Sequence, residues 1–344
     1  MGTKTAVLKD IAEKAGVSIS LVSFVLNGKA KQYRVADSKA EKILQIAKEL
    51  NYKPNMVAKG LRSGRTKTLG LILADISSPF FARLARKIED YSHSKGYAVI
   101  IASTDERADK QRLAIDTLTG RGVDGFIICA SEESRGQISE LANNAMPVVV
   151  VDRYHSELQV PTVRLDNFVA TYGAAKHLIN QGFKRIALVT FESKLKHINE
   201  RIDGYTAAIE EHNLPVIVRT VLHKTASDDT TRVVNELLNQ EDRPDAFFFT
   251  EGMMCMDGLR VIKSRELIVP TDVGIVSFDK MDSFDLFYTP ITYIEQPINE
   301  YSICAVDIVI NSIEEKNTEL NTHDNVIIMP NFVINKSSLK ISND

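Results

Sequence analysis

The sequence predicts a small all-α helix-turn-helix head followed by an α/β body of two doubly wound parallel-sheet lobes. Three observations predict it. The first 67 residues hold 14 basic and 5 acidic side chains, and the rest holds 28 and 40. Near the N-terminus, two short stretches of helical periodicity flank Gly16. From Leu69 onward, short apolar runs alternate with amphipathic helical stretches at regular spacing.

Composition frames these readings. A chain of 344 residues suggests two or three domains, and 44% hydrophobic with 25% charged residues is ordinary globular composition. No apolar run approaches the roughly 20 residues of a membrane span, and the N-terminus lacks a long apolar signal core. A soluble cytoplasmic protein without membrane contact is expected. Cys129, Cys255 and Cys304 are odd in number and far apart, which fits neither a disulfide framework nor a metal ligand set.

In the head, Leu8, Ile11, Ala12 and Ala15 share one helical face. Gly16 can end that helix, Val17 can bury, and Ser18 can cap a second helix over about Ile19 to Leu26. That helix is expected to bury Val22, Val25 and Leu26 and to turn Ile19, Ser20, Ser23 and Phe24 outward. Asn27-Gly28 breaks the chain, and a third helix over about Asp37 to Leu50 supplies Ala40, Ile43, Leu44, Ala47 and Leu50 to a three-helix core. A tight helix-turn-helix with a net basic charge fits a second helix lying in the DNA major groove. The alternative is a helical bundle with a solvated lysine-rich surface.

The next segment, Pro54 to Thr66, can begin a helix but is short and contains Gly60, so it should order only against a partner. Val57, Ala58 and Leu61 share a face, leucine can wedge into a minor groove, and Lys59, Arg62 and Arg65 can meet phosphates. A flexible basic linker is the competing reading.

The stretches Asp10-Ile-Ala-Glu-Lys-Ala-Gly-Val-Ser18, Val22-Ser-Phe-Val-Leu-Asn-Gly28, Glu49-Leu-Asn-Tyr-Lys-Pro54 and Ala58-Lys-Gly-Leu61 resemble the head of the LacI/GalR family of transcriptional regulators. The likeness continues over nearly the whole chain. It implies operator DNA contacts from Lys9, Ser18, Ile19, Ser20, Ser23, Phe24, Asn27, Lys31, Tyr52, Asn55, Val57, Ala58, Lys59, Leu61 and Arg62. The family usually carries an arginine where Phe24 stands, so readout here shifts toward apolar contact such as a thymine methyl.

In the body, strands are expected at Leu69–Leu73, Ala98–Ala102, Gly125–Cys129, Val148–Val151, Arg185–Val189, Val216–Leu222, Ala246–Thr250 and Val273–Ser277. Parallel sheets of this kind bind ligands beyond their strand C-termini. The resemblance implies a type I periplasmic-binding-protein-like core with crossovers near Val163–Asn167, Ile291–Pro297 and Met329–Val333. The expected division is a head over 1–53, a hinge over 54–67 and a core over 68–340. One lobe takes 68–163 and 296–328, the other 164–293 and 331–340.

Gly120-Arg-Gly-Val-Asp-Gly125 has the spacing of a dinucleotide fingerprint but follows a helix and opens a strand, the reverse of the Rossmann context. No Walker loop, nucleophile elbow or His-Glu-x-x-His occurs, so neither an enzyme nor a cofactor is expected. Polar residues at strand ends are the candidates for an effector site: Asp75, Ser77 and Phe80, then Asp105, Ser131 and Arg153. In the second lobe, Arg201-Ile-Asp-Gly-Tyr205 and Phe278-Asp279 resemble family motifs, which makes Arg201 and Asp279 the leading contacts. Arginine's planar fork beside a carboxylate suits vicinal hydroxyls. Each strand-end acid taken singly can equally be a helix cap. Glu251-Gly252 replaces the family's usual Asn-Asp, which weakens transfer of any particular sugar.

The expected protein is a homodimeric regulator, most simply a repressor of a palindromic operator, governed by a sugar-like effector. The alternative is a co-repressor-dependent regulator answering to a purine or other non-sugar metabolite. A transporter component on the same body would need a signal peptide and no basic head, and an enzyme would need a catalytic constellation, so the sequence supports neither.

Overall fold

The computed structural model describes residues 6–52, 64–314 and 325–340. The expected contacts Asn55, Val57, Ala58, Lys59, Leu61 and Arg62 lie outside the described residues. Packing divides the chain into Met1–Thr66 and Lys67–Asp344.

Among the described residues the head has three helices, α1 (Leu8–Ala15), α2 (Ile19–Leu26) and α3 (Asp37–Glu49). Gly16 ends α1 in the left-handed region at φ 69°, and Ser18 Oγ caps α2 by accepting from the Leu21 N–H at 3.3 Å. Ile11, Ala12, Ala15, Val22, Val25, Val35, Ile43, Ile46 and Ala47 form its core. Two expectations need correcting. Leu44 is 50% exposed and Ile46 is buried in its place, because the core-facing stripe of α3 runs through 43, 46 and 47. Leu26 is only half-buried, at the last turn of α2.

The body contains two six-stranded sheets. The first takes β1 (Thr68–Leu73), β2 (Ala98–Ser103), β3 (Gly125–Ile128), β4 (Val148–Val151), β5 (Thr162–Leu165) and β11 (Asn325–Ile328), in the order β11-β5-β4-β3-β1-β2. The second takes β6 (Ile186–Phe191), β7 (Ile217–Val221), β8 (Ala246–Phe249), β9 (Gly274–Phe278), β10 (Thr292–Glu295) and β12 (Asn331–Val333), in the order β12-β10-β9-β8-β6-β7. Among the described residues every pairing is parallel except β10 with β12. Central strands such as β3, β4, β8 and β9 are buried throughout, which is why they read as unbroken apolar runs.

Helices fill the crossovers: α4 (Pro79–Ser94), α5 (Ala108–Gly120), α6 (Arg135–Asn143), α7 (Asn167–Asn180), α8 (Lys196–Glu211), α9 (Ala226–Leu238), α10 (Gly252–Ser264) and α11 (Ile298–Glu314). The chain passes from the first sheet to the second between β5 and β6. It returns after β10, where α11 packs on α4, β3 and β4, and passes across again between β11 and β12. The 120–125 segment joins α5 to β3 as a plain turn.

Candidate DNA-reading face and ligand cleft

On the head, Lys9, Ser18, Ile19, Ser20, Asn27 and Lys31 are exposed, and Phe24 is half-buried. Ser23 departs from expectation. It is 8% exposed, and Asn27 Nδ2 folds back to donate to the Ser23 carbonyl at 2.7 Å and to its hydroxyl at 3.3 Å. Ser23 therefore braces the end of α2 instead of facing outward. Tyr52 rests partly on the head's core.

In the body, polar residues gather beyond the strand C-termini. Arg201 is 5% exposed on α8, where its Nε donates to Asn167 Oδ1 at 2.8 Å and its Nη1 to the Thr250 carbonyl at 2.9 Å. Its guanidinium carbon lies 3.6 Å from the centroid of the Phe278 ring. The Arg-x-x-Gly-Tyr spacing has a mechanical basis. A Cβ on Gly204 would stand 2.3 Å from the Phe168 carbonyl oxygen and 2.4 Å from Thr171 Oγ1, so only glycine lets α8 sit this close to α7. The Tyr205 hydroxyl donates to the Ile186 carbonyl at 2.6 Å and ties the same helix to the second sheet.

Asp279 follows β9 with φ 68°, and its Oδ1 accepts from Gln296 Nε2 at 2.8 Å. Burial pushes its carboxyl up to about 6 despite the charge of Arg201. Asp152, after β4, is likewise raised to about 6 by burial, against the pull of Arg153 and Arg201. Arg153 is joined to Glu106. Burial alone would lower its pKa, but Glu106 and Asp152 outweigh that and hold the guanidinium charge. Glu251 caps α10 by accepting from the Met254 N–H at 2.9 Å, and burial raises its pKa. Gly252 stands where a Cβ would come within 2.6 Å of Met281, so the Met281 side chain fills the space a larger residue would need.

The remaining candidates divide. Phe80 meets Phe81 and Tyr301 edge-to-face and lines a cavity of about 20 Å³ with Arg83, Glu251, Asp279, Met281 and Gln296. Asp75 and Ser77 satisfy each other, Ser77 Oγ donating to Asp75 Oδ1 at 2.8 Å. Ser131 is fully buried and donates to Gln111 Oε1 at 2.9 Å, deep in the first lobe. Asp105 is exposed and paired with Lys110. Its neighbour Glu106 is the acid that reaches Arg153, because successive left-handed residues at φ 50° and 61° turn the chain there. Glu106, not Asp105, is thus the acid paired with Arg153.

Sequence reading also missed His197, His223 and Phe191. His197 is 4% exposed and held neutral, chiefly by burial and then by Arg153 and Arg201. His223 stacks on Phe191 with centroids 3.7 Å apart. Isolated histidines carry no spacing signal, so sequence offered nothing to find them by. Among the described residues, His197 Nδ1, Asp152 Oδ1 and Arg153 Nε are buried without a hydrogen-bond partner. Such unpaired groups are costly unless something pairs with them. At the rim, Arg83 meets Asp282 at 2.6 Å, Ser193 Oγ donates to Glu132 at 3.1 Å, and Tyr154 donates to Glu200 at 2.7 Å. Each joins one lobe to the other.

Among the described residues no group of histidine, cysteine and acidic side chains could hold a metal, and no helix is long and apolar enough to cross a membrane.

Comparison with known proteins agrees with this architecture. Residues 66–337 match the periplasmic binding proteins and sugar binding domain of the LacI family, and residues 7–55 match the bacterial regulatory proteins of the lacI family. The HTH-type transcriptional repressor PurR of Histophilus somni is 29% identical over 96% of this chain and 98% of its own. A LacI-family regulator from Enterococcus faecium with bound ribose is 27% identical, with a TM-score of 0.69 over 80% of this chain and 100% of that one. The lac repressor dimer bound to operator shares the fold at a TM-score of 0.85 and 21% identity, covering 98% of this chain and all of that one. With a helix-turn-helix head and two parallel-sheet lobes matched from end to end, the chain belongs to the LacI family of DNA-binding transcriptional repressors with an effector-binding domain.

Proposed function

We propose that this repressor is controlled by a small, uncharged, polyhydroxylated effector, a sugar or sugar derivative, bound among Arg153, Arg201, Asp152, Asp279 and His197. The observation that carries this reading is the set of buried, unpartnered polar atoms on Asp152, Arg153 and His197. A hydroxyl both donates and accepts, so one ligand with several hydroxyls can answer a carboxylate, a guanidinium and an imidazole together. Four carboxylates, Glu106, Asp152, Glu251 and Asp279, face two arginines, which disfavours a phosphorylated or otherwise anionic ligand. Phe80 and the Phe191–His223 pair supply apolar faces for the ligand's carbon skeleton. The ribose-bound relative supports the same class. These flat aromatic faces would also suit a planar base, so a purine co-repressor is the second reading.

In this account residues 1–53 read DNA, 54–67 form a hinge and 68–340 sense the effector. Ile19, Ser20 and Phe24 face the major groove, while Lys9 and Lys31 meet phosphates. The cytoplasm is the compartment this requires. The active form is a homodimer on a palindrome. Ile76, Ile101 and Leu113 are exposed at or beside edge strand β2, and a second copy would cover them there.

The experiment is selection of duplexes from a random pool by the full chain, followed by affinity measurements across salt and across added sugars and purines. A palindromic consensus, a steep loss of affinity with salt and a response to sugars are expected. Affinity that is flat in salt and indifferent to sequence overturns the reading, and a response to purines alone selects the second one.

A further inference from the structure

The loop between α2 and α3 carries an aromatic contact that sequence reading did not anticipate. Phe24 and Tyr33 stack with ring centroids 3.7 Å apart and planes 5° from parallel. Tyr33 remains 48% exposed, and Phe24 is half-buried on the reading helix. The loop that brings Tyr33 there is tightly built. The Lys29 N–H donates to the Phe24 carbonyl at 2.8 Å, the Tyr33 N–H to the Lys29 carbonyl at 3.1 Å, and the Val35 N–H to the Ala30 carbonyl at 2.9 Å. Arg34 turns the chain at φ 52°, and Val35 anchors it in the head's core. The stack is thus held from both sides, by a helix and by a pinned loop.

We propose that Tyr33 is a positioning residue for DNA specificity: its ring fixes Phe24 as a rigid apolar slab on the reading face. The proposal rests on reading the head as a DNA-binding unit. An isolated phenylalanine at this site could rotate toward the half-buried Leu21 one turn before it and leave the base edges unread. With one face covered by Tyr33, the ring has a single orientation and one free face and edge, suited to a thymine methyl. Lys29, Lys31 and Arg34 are exposed on the same loop, so phosphate attraction and aromatic positioning come from one element.

The test is base preference of the full chain on half-sites selected from a random duplex pool, for wild type, Tyr33→Phe, Tyr33→Ala, Phe24→Ala and the double alanine variant. Wild type and Tyr33→Phe are expected to share a preference for an A·T pair at one position, of about fourfold, the value of burying one methyl group. Tyr33→Ala should flatten that position alone, with little change in non-specific affinity or its salt slope. In the Phe24→Ala background, Tyr33→Ala should change the preference no further. If Tyr33→Ala unfolds the head, Tyr33→Leu fills similar volume without a ring face and is expected to show the same flattening. Wild-type preference in Tyr33→Ala or Tyr33→Leu overturns the proposal, as does equal loss in Tyr33→Phe. Failure of the wild type itself to bind or select DNA is a different result, and it overturns the DNA-reading assignment of the head.

Discussion

Asp279→Asn should stabilise the body while impairing its response to effector. Burial raises this carboxyl from the ordinary 3.8 to about 6 even after Arg201 and Gln296 have favoured its ionised form. At about 1.4 kcal/mol per pH unit, ionising Asp279 in the folded protein costs about 3 kcal/mol more than in the unfolded chain. The sign follows from the raised value. The contribution to stability is fully present below pH 3.8 and is lost as pH rises through about 6. Asparagine has the same shape, tolerates φ 68°, and keeps an oxygen for the Gln296 amide. The attraction of Arg201 is already contained in the raised value, so the gain at pH 8 is at most about 3 kcal/mol. Denaturant unfolding from pH 4 to 8 should show the variant and wild type converging near pH 4, diverging up to about pH 6 and keeping a constant gap above it. The same substitution removes a hydroxyl acceptor and should weaken effector binding at least tenfold at pH 8. A variant less stable than wild type at pH 8, or one with undiminished effector affinity, would refute the reasoning.

Arg201→Lys keeps the charge but loses the fork that joins Asn167 to Thr250 and the contact with Phe278. Unfolding should show a loss of about 1–3 kcal/mol, and titration a weakened effector response. Gly204→Ala places a methyl against the Phe168 carbonyl and must separate α7 from α8. A loss of about 1–3 kcal/mol in denaturant unfolding is expected, with effector affinity reduced because Arg201 sits on the same helix. Ser18→Ala removes the cap of α2 and should destabilise the head by about 0.5–2 kcal/mol in circular-dichroism melts, leaving the body's transition unmoved.

The strands were legible because buried parallel strands are apolar on both faces, so Val148–Val151 stands out in the sequence without any knowledge of its neighbours. The turn at Gly16 and the cap at Ser18 were legible for a different reason, since both are local chemistry. What sequence could not resolve depends on rotation about an axis or on distant partners. A shift of the buried stripe on α3 exchanges Leu44 for Ile46, and two successive left-handed residues bring Glu106 instead of Asp105 to Arg153. Ser23 was misplaced because its partner is a side chain one turn later, Asn27. Glu251 shows both readings of a strand-end acid at once, a helix cap that also lines the cleft. His197 and His223 gain significance only when folding sets them beside Arg153.

The most direct test is the operator affinity of the full chain measured with and without an effector at a concentration that saturates the body. Coupling between head and cleft predicts a change of about 5- to 150-fold, and the operator should alter effector affinity by the same factor. An identical operator dissociation constant with the cleft empty and filled would contradict the account.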